Sequence, residues 1–170
     1  MNSFSHFNEE GRAKMVNVSQ KAETERTATA RTKVRLSATL YDAIHDQGLK
    51  KGDPLAVAQI AGIMAAKKTA DWIPMCHPIT IQGTDLQFSF RKDEETTDYV
   101  LVIHATVTVK SNTGVEMEAL TAVSAAALTF YDMCKAIDKG MIIEETLLVE
   151  KTGGKNGNFY HPLLQKERSR

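Results

Sequence analysis

Asp132 and Lys135 stand three residues apart in YDMCKA, a spacing that puts both on one side of a helical turn. A lysine held near a carboxylate in a partly desolvated cleft serves as a general acid or base. The same spacing also makes an ordinary surface ion pair. Cys76-His77 lies between Pro74 and Pro78 in IPMCHP. Adjacent residues project differently, so the two are poor joint ligands for one metal. The proline frame suits a presented imidazole, which titrates near neutrality, and it suits a structural, hydrogen-bonded histidine equally well. Three basic segments flank short loops: Lys50-Lys51, Lys67-Lys68 and Lys151-Thr-Gly-Gly-Lys155-Asn-Gly157. In the last, paired glycines between lysines let backbone N–H groups line up against an anion, although it is not a Walker motif. Solvated surface is the usual fate of lysines; together the three segments point to a polyanionic small ligand such as a nucleoside triphosphate.

The element that must position the acidic groups is the 23-residue stretch from Glu116 to Asp138, EMEALTAVSAAALTFYDMCKAID. No charge occurs from Ala119 through Tyr131, and Leu120, Val123, Ala127, Phe130, Cys134 and Ile137 recur at steps of three and four. The opposite side is Ala, Ser and Thr, which predicts a helix covered nearly all round. Glu118 and Asp132 are fourteen positions apart, roughly 21 Å along one helix axis, so one subunit does not bring both to one reacting atom. The small-residue face favours close approach of a second chain, and a homo-oligomer with a site between subunits is expected.

The 170 residues suffice for one domain with a real core. Basic and acidic side chains balance at 21 each, which removes weight from a nucleic-acid partner. With two cysteines and no CxxC or Cys/His ligand spacing, neither a disulfide scaffold nor a structural metal site is expected. No apolar signal core and no run of membrane-spanning length occurs, so the expectation is a cytoplasmic protein without a membrane partner. Residues 1–28 are polar and predict an extended arm. Residues 29–155 form a single α+β domain, and 156–170 a flexible tail. ARTKVRL reads as a strand, Ser37 caps a short helix to His45, and Asp53-Pro54 opens a second helix ending near Ala70. Ile79, Ile81, Leu86, Phe88 and Phe90, then Tyr99 through Val109, alternate with polar residues around a charged turn and predict a hairpin. MIIEETLLVEK supplies a last strand. Strand, helix, strand, strand, helix, strand is the ferredoxin-like, split βαβ plan, an antiparallel sheet packed on helices.

SHFNEEGRAKMVNVS, KKGDPLAVAQIAGIMAAKKT, IPMCHP, TGVEMEALTA, YDMCKA and TGGKNG occur in one order between Phe4 and Phe159. This set resembles the cyclic pyranopterin monophosphate synthase family, the molybdenum cofactor biosynthesis protein C. The resemblance implies a phosphorus–oxygen lyase acting on 3′,8-cyclo-7,8-dihydroguanosine triphosphate. Cyclic pyranopterin monophosphate would be the product and diphosphate the leaving group, without a redox cofactor or resident metal. No metal-ligand cluster demands a divalent ion, and the sequence does not decide whether one accompanies the triphosphate. It also implies a ferredoxin-like fold and a hexamer (a trimer of dimers) with sites between subunits.

Carried over by motif, Asp132 matches the family's catalytic acidic residue, and Lys135 and Lys51 its essential lysines. On this resemblance Lys51 and Lys135 exchange protons while Asp132 orients and tunes them. Met75, Cys76 and His77 match a substrate-contact loop, and Met117 and Glu118 a second contact. Glu116, Lys67, Arg26, Lys151 and Lys155 follow as phosphate or base contacts. The sequence departs from the family pattern at Asn17, Asn112, Glu144 and Asn158. None of these carries a catalytic role, but Asn112 replaces a common lysine and puts a phosphate contact there in doubt. The main rival is a non-catalytic ferredoxin-like module that binds a small ligand, since one architecture hosts many functions. An RNA-binding sheet is disfavoured by neutral charge and by strands without the required aromatics.

Overall fold

Alternating burial makes the sheet. In the computed structural model, which describes residues 5–46, 52–155 and 157–165, β1 (Thr24–Leu36) buries Ala28, Ala30, Thr32, Val34 and Leu36 on one face. β3 (Tyr99–Ser111) buries Leu101, Ile103, Ala105, Val107 and Val109 on the same side. β2 (Gly83–Lys92), β4 (Ile142–Thr152) and the two-residue β5 (Phe159–Tyr160) complete a five-stranded sheet of order β2-β3-β1-β4-β5, antiparallel at every pairing. Helices α1 (Ala38–Asp46), α2 (Pro54–Lys67), the short α3 (Thr69–Trp72), α4 (Glu116–Cys134) and α5 (Pro162–Gln165) fill the connections and the end of the chain. The two central strands and the βαββαβ order give the α+β, ferredoxin-like split βαβ arrangement.

α2 and α4 pack together over the core face of the sheet. Asp53 caps α2 through Oδ1, which accepts from Leu55 N at 2.9 Å, and Pro54 takes the first turn. Where the helices touch, side chains are small: Ala119, Ala122 and Ala126 on α4 and Gly62 on α2 are buried. A Cβ on Gly62 would lie 2.5 Å from Leu86 Cδ2 and 3.0 Å from Ala122 O, so a larger residue would have to displace the Leu86 side chain and press on the α4 backbone.

Several boundaries differ from expectation. β1 reaches back to Thr24, into the expected arm, because its polar first residues still complete a ladder with Lys110 and Ser111. The strand expected from Ile79 begins at Gly83, though Ile79 and Ile81 still pack on the core. Past the expected domain end, Phe159–Tyr160 pairs with Glu150 and Lys151. α4 stops at Cys134 rather than Asp138. Asp138 instead folds a turn, its Oδ2 accepting from Ser37 N (2.9 Å) and its Oδ1 from Gly140 N (2.8 Å). Within one chain α4 is not covered all round: Leu128 is 56% exposed and Met133 48%. Ile137, expected on the apolar stripe, lies beyond the helix and is exposed.

Candidate active site

The first turn of α4 forms one wall of a cavity of about 360 Å³. Glu116, Met117 and Glu118 come from that turn, and Met75, Cys76 and His77 face them from the loop after α3. Ile73 N donates to Thr69 O (2.9 Å) and Cys76 N to Ile73 O (3.0 Å), a pair of turns that folds this loop back toward α4. The N-terminal segment closes the other side with Val16, Val18 and Lys21. Glu118 is only 3% exposed. Burial pushes its pKa up to about 7, its own backbone N–H opposes the shift, and the neighbouring Glu116 adds to it. Cys76 is likewise raised, by burial first and then by the charge of Glu118. A carboxyl that titrates near neutrality beside an imidazole equips this cavity to hold a polar heterocycle and to exchange protons with it.

A second cavity, of about 620 Å³, adjoins the first. Among the described residues its charged lining is wholly cationic: Lys21, Arg26 on β1, Lys151 on β4 and Lys155. Arg26 is held by its Nε, which donates to Ser111 O at 2.9 Å. Lys151 Nζ lies 3.1 Å from Glu116 Oε1, an ion pair that joins the two cavities. Gly153 and Gly154 turn the chain beside them at φ +80° and +78°, where a Cβ would collide with Glu25 O and with the Arg26 guanidinium. Such a cluster of cations around a glycine turn is an anion receptor, and its size suits several linked phosphates.

Asp132 and Lys135 stand apart from both cavities. They close an ion pair of 2.6 Å at the far end of α4, with side chains 67% and 55% exposed. Hydrogen bonding to Asp132, followed by its charge, raises the Lys135 pKa. Glu118 and Asp132 lie on one helix fourteen positions apart, about 21 Å along its axis. Lys67, exposed in the last turn of α2, lines neither cavity. Lys51 lies outside the described residues. Met75, Cys76, His77, Glu116, Met117, Glu118, Arg26, Lys151 and Lys155 therefore converge, whereas Asp132, Lys135 and Lys67 do not join them within one chain. Among the described residues no group of three or more His, Cys, Asp or Glu side chains is placed to hold a metal ion. No described helix is long and apolar enough to cross a membrane.

Two contributions were not read from the sequence. The segment at Val16–Lys21 walls the site, yet it carries no periodicity that would place it. Asn112, doubtful as a phosphate contact, turns its amide to Val18 O instead, donating at 3.1 Å.

The sequence as a whole is similar to those of known proteins. A protein of Shouchella clausii named cyclic pyranopterin monophosphate synthase is 70% identical over 166 residues, covering 98% of this chain and 99% of its own. Proteins of the same name from Lysinibacillus sphaericus and Geobacillus thermodenitrificans are 66% and 60% identical, across 95% and 94% of this chain and 99% and 97% of theirs. The profile of the MoaC family matches residues 15–154, a span that contains every described wall of both cavities except the extreme N-terminal residues and Lys155. By this match, and by relatives aligned from end to end, the chain belongs to the MoaC family.

Proposed function

We propose that this protein is a cyclic pyranopterin monophosphate synthase in molybdenum cofactor biosynthesis. It converts 3′,8-cyclo-7,8-dihydroguanosine triphosphate to cyclic pyranopterin monophosphate and releases diphosphate, as a lyase. The observation that carries this reading is the junction of a proton-exchanging cavity with an all-cationic one. A purine-derived ring fits the first, against Met75, Cys76, His77, Met117 and Glu118. A triphosphate fits the second, against Arg26, Lys151 and Lys155, with Glu116 fixing Lys151.

Ring rearrangement needs a group that gives and takes protons near neutrality, and Glu118 has that property at the ring end. Closing the cyclic phosphate needs a sugar-derived hydroxyl oxygen to attack the α-phosphorus. Its proton passes to a base, and the bond to the bridging oxygen breaks as diphosphate leaves. Cations on the β- and γ-phosphates stabilise that departing charge. Lys51 and Lys135 serve as the proton donor and acceptor, and Asp132 orients Lys135 through their 2.6 Å contact. Since Asp132 and Lys135 sit far from Glu118 along α4, the proposal assigns them to the site of a neighbouring copy in a homo-oligomer, a hexamer. Lys67 joins the phosphate contacts on the same basis. The reading needs no resident cofactor, and its setting is the cytoplasm.

Incubation with the cyclic dihydro-GTP derivative, with diphosphate and pterin product followed together, tests the proposal. Both should form in equal amounts, and both should be lost in Lys51→Ala and Asp132→Ala proteins that still assemble. Tight binding without turnover by the native protein would favour a ligand-binding module instead.

A further inference from the structure

We infer that Lys21 is a substrate-binding residue that grips the phosphate adjoining the purine-derived part of the ligand. The inference rests on the polyphosphate reading above and extends it to a residue in the N-terminal segment. Lys21 is the one described side chain that lines both cavities. A molecule with its ring in one and its phosphates in the other must pass it, and the group at that crossing is the first phosphate.

The segment that presents Lys21 is fastened rather than loose. Lys21 N donates to Val18 O at 3.0 Å, closing a turn, and the same carbonyl accepts from Asn112 Nδ2 at 3.1 Å. One turn earlier, Ser19 N donates to Asn17 Oδ1 at 2.9 Å. Asn112 lies in the connection between β3 and α4, next to Thr113 and Gly114 of the cavity wall. The bond therefore ties the base of Lys21 to the scaffold that carries Glu116 and Glu118. Charge distribution points the same way. The carboxylates Glu116 and Glu118 line the ring cavity, and among the described residues no carboxylate lines the other. Glu116 already engages Lys151, whereas among the described residues Lys21 has no carboxylate partner, which leaves its charge for a ligand.

Position along the ligand gives the inference its test. A cation at the first phosphate contacts a monophosphate and a triphosphate alike; a cation at the far end contacts the triphosphate alone. Calorimetric titration of the full chain with GMP and with GTP, at constant ionic strength, separates the two. Lys21→Met should weaken both nucleotides by about tenfold or more, the scale of a lost charge-assisted hydrogen bond. Lys21→Arg should restore most of that loss. Lys155→Met should weaken GTP and leave GMP within about twofold of native. Lys21 is exposed, so thermal unfolding of these variants should match the native chain. Native-like affinity of Lys21→Met for both nucleotides, while Lys151→Met loses GTP, would overturn the Lys21 assignment and leave the polyphosphate reading intact. A native protein that binds neither nucleotide at millimolar concentration would overturn that reading, and the assignment with it.

Discussion

Lys151 on β4 places its ammonium nitrogen 3.1 Å from Glu116 Oε1 in the first turn of α4, with both side chains half-buried. The contact crosses from the sheet to the helix layer and lies where the ring and phosphate cavities meet. A pair this accessible contributes on the order of 0–1 kcal/mol to folding. Its larger effect is to set the direction of the Lys151 side chain.

Lys151→Met should therefore change stability little and ligand affinity a great deal. Denaturant midpoints close to native, with GTP affinity reduced by about tenfold, are the expected pair of results. A large loss of stability with unchanged affinity would mean that the pair is a structural clamp.

Glu118 makes stability depend on pH. Its folded pKa is raised to about 7 from the ordinary glutamate value of 4.5, so the folded state holds its proton more tightly than the unfolded one. That contribution is fully present below the unfolded value and is lost as pH rises through the folded one. Relative to Glu118→Gln, the native protein should lose about 2 kcal/mol more between pH 5.5 and pH 8, with Glu116 and Cys76 the titratable groups whose charge interacts with it. Urea unfolding of both proteins at the two pH values measures the difference, and parallel behaviour would remove the assigned shift.

Gly62 tests the contact between α2 and α4. Gly62→Ala pushes a methyl group toward Leu86 Cδ2 and Ala122 O in a packed layer. Overpacking of this kind costs about 1–3 kcal/mol, so the melting temperature should fall by several degrees. An unchanged or raised melting temperature would show that the helices part at little cost.

Complementation tests whether Asp132 and Lys135 serve a neighbour's site. Glu118→Gln and Lys135→Ala chains, each inactive alone, should regain activity after being unfolded together and reassembled. Random pairing across a two-fold interface restores one intact site in each mixed pair, or about a quarter of native turnover. No recovery from a mixture shown to contain mixed oligomers would place both residues in one chain's own site.

The elements legible in the sequence were those with a strong period or an unambiguous cap. Asp53-Pro54 marks the start of α2, and the alternation of Leu101, Ile103, Ala105, Val107 and Val109 marks β3. The start of β1 was hidden because Thr24, Glu25 and Arg26 are polar: that end of the strand lines a cavity rather than the core, so no apolar alternation announces it. The end of α4 was hidden because Asp138 acts through Ser37, which is 101 positions away. Much the same holds for the site. Local spacing pairs Asp132 with Lys135, and that contact is present. Spacing has nothing to say about Cys76 meeting Glu118, since only the folded connection from α3 to β2 brings them together; a family resemblance joined them first. Lys21 stood in neither pattern nor resemblance.

α4 carries an ionisable group of interest at each end and almost nothing ionisable between them. A single inserted residue near Ala125 would leave the helix helical, yet it would advance Asp132 and Lys135 by about 1.5 Å and swing them by about 100° around the axis. Under the proposed arrangement the chain that bears the insertion would keep its own ring pocket, and the defect would appear next door. The length of α4 is thus a dimension of the assembly, measured out inside each copy but used between them.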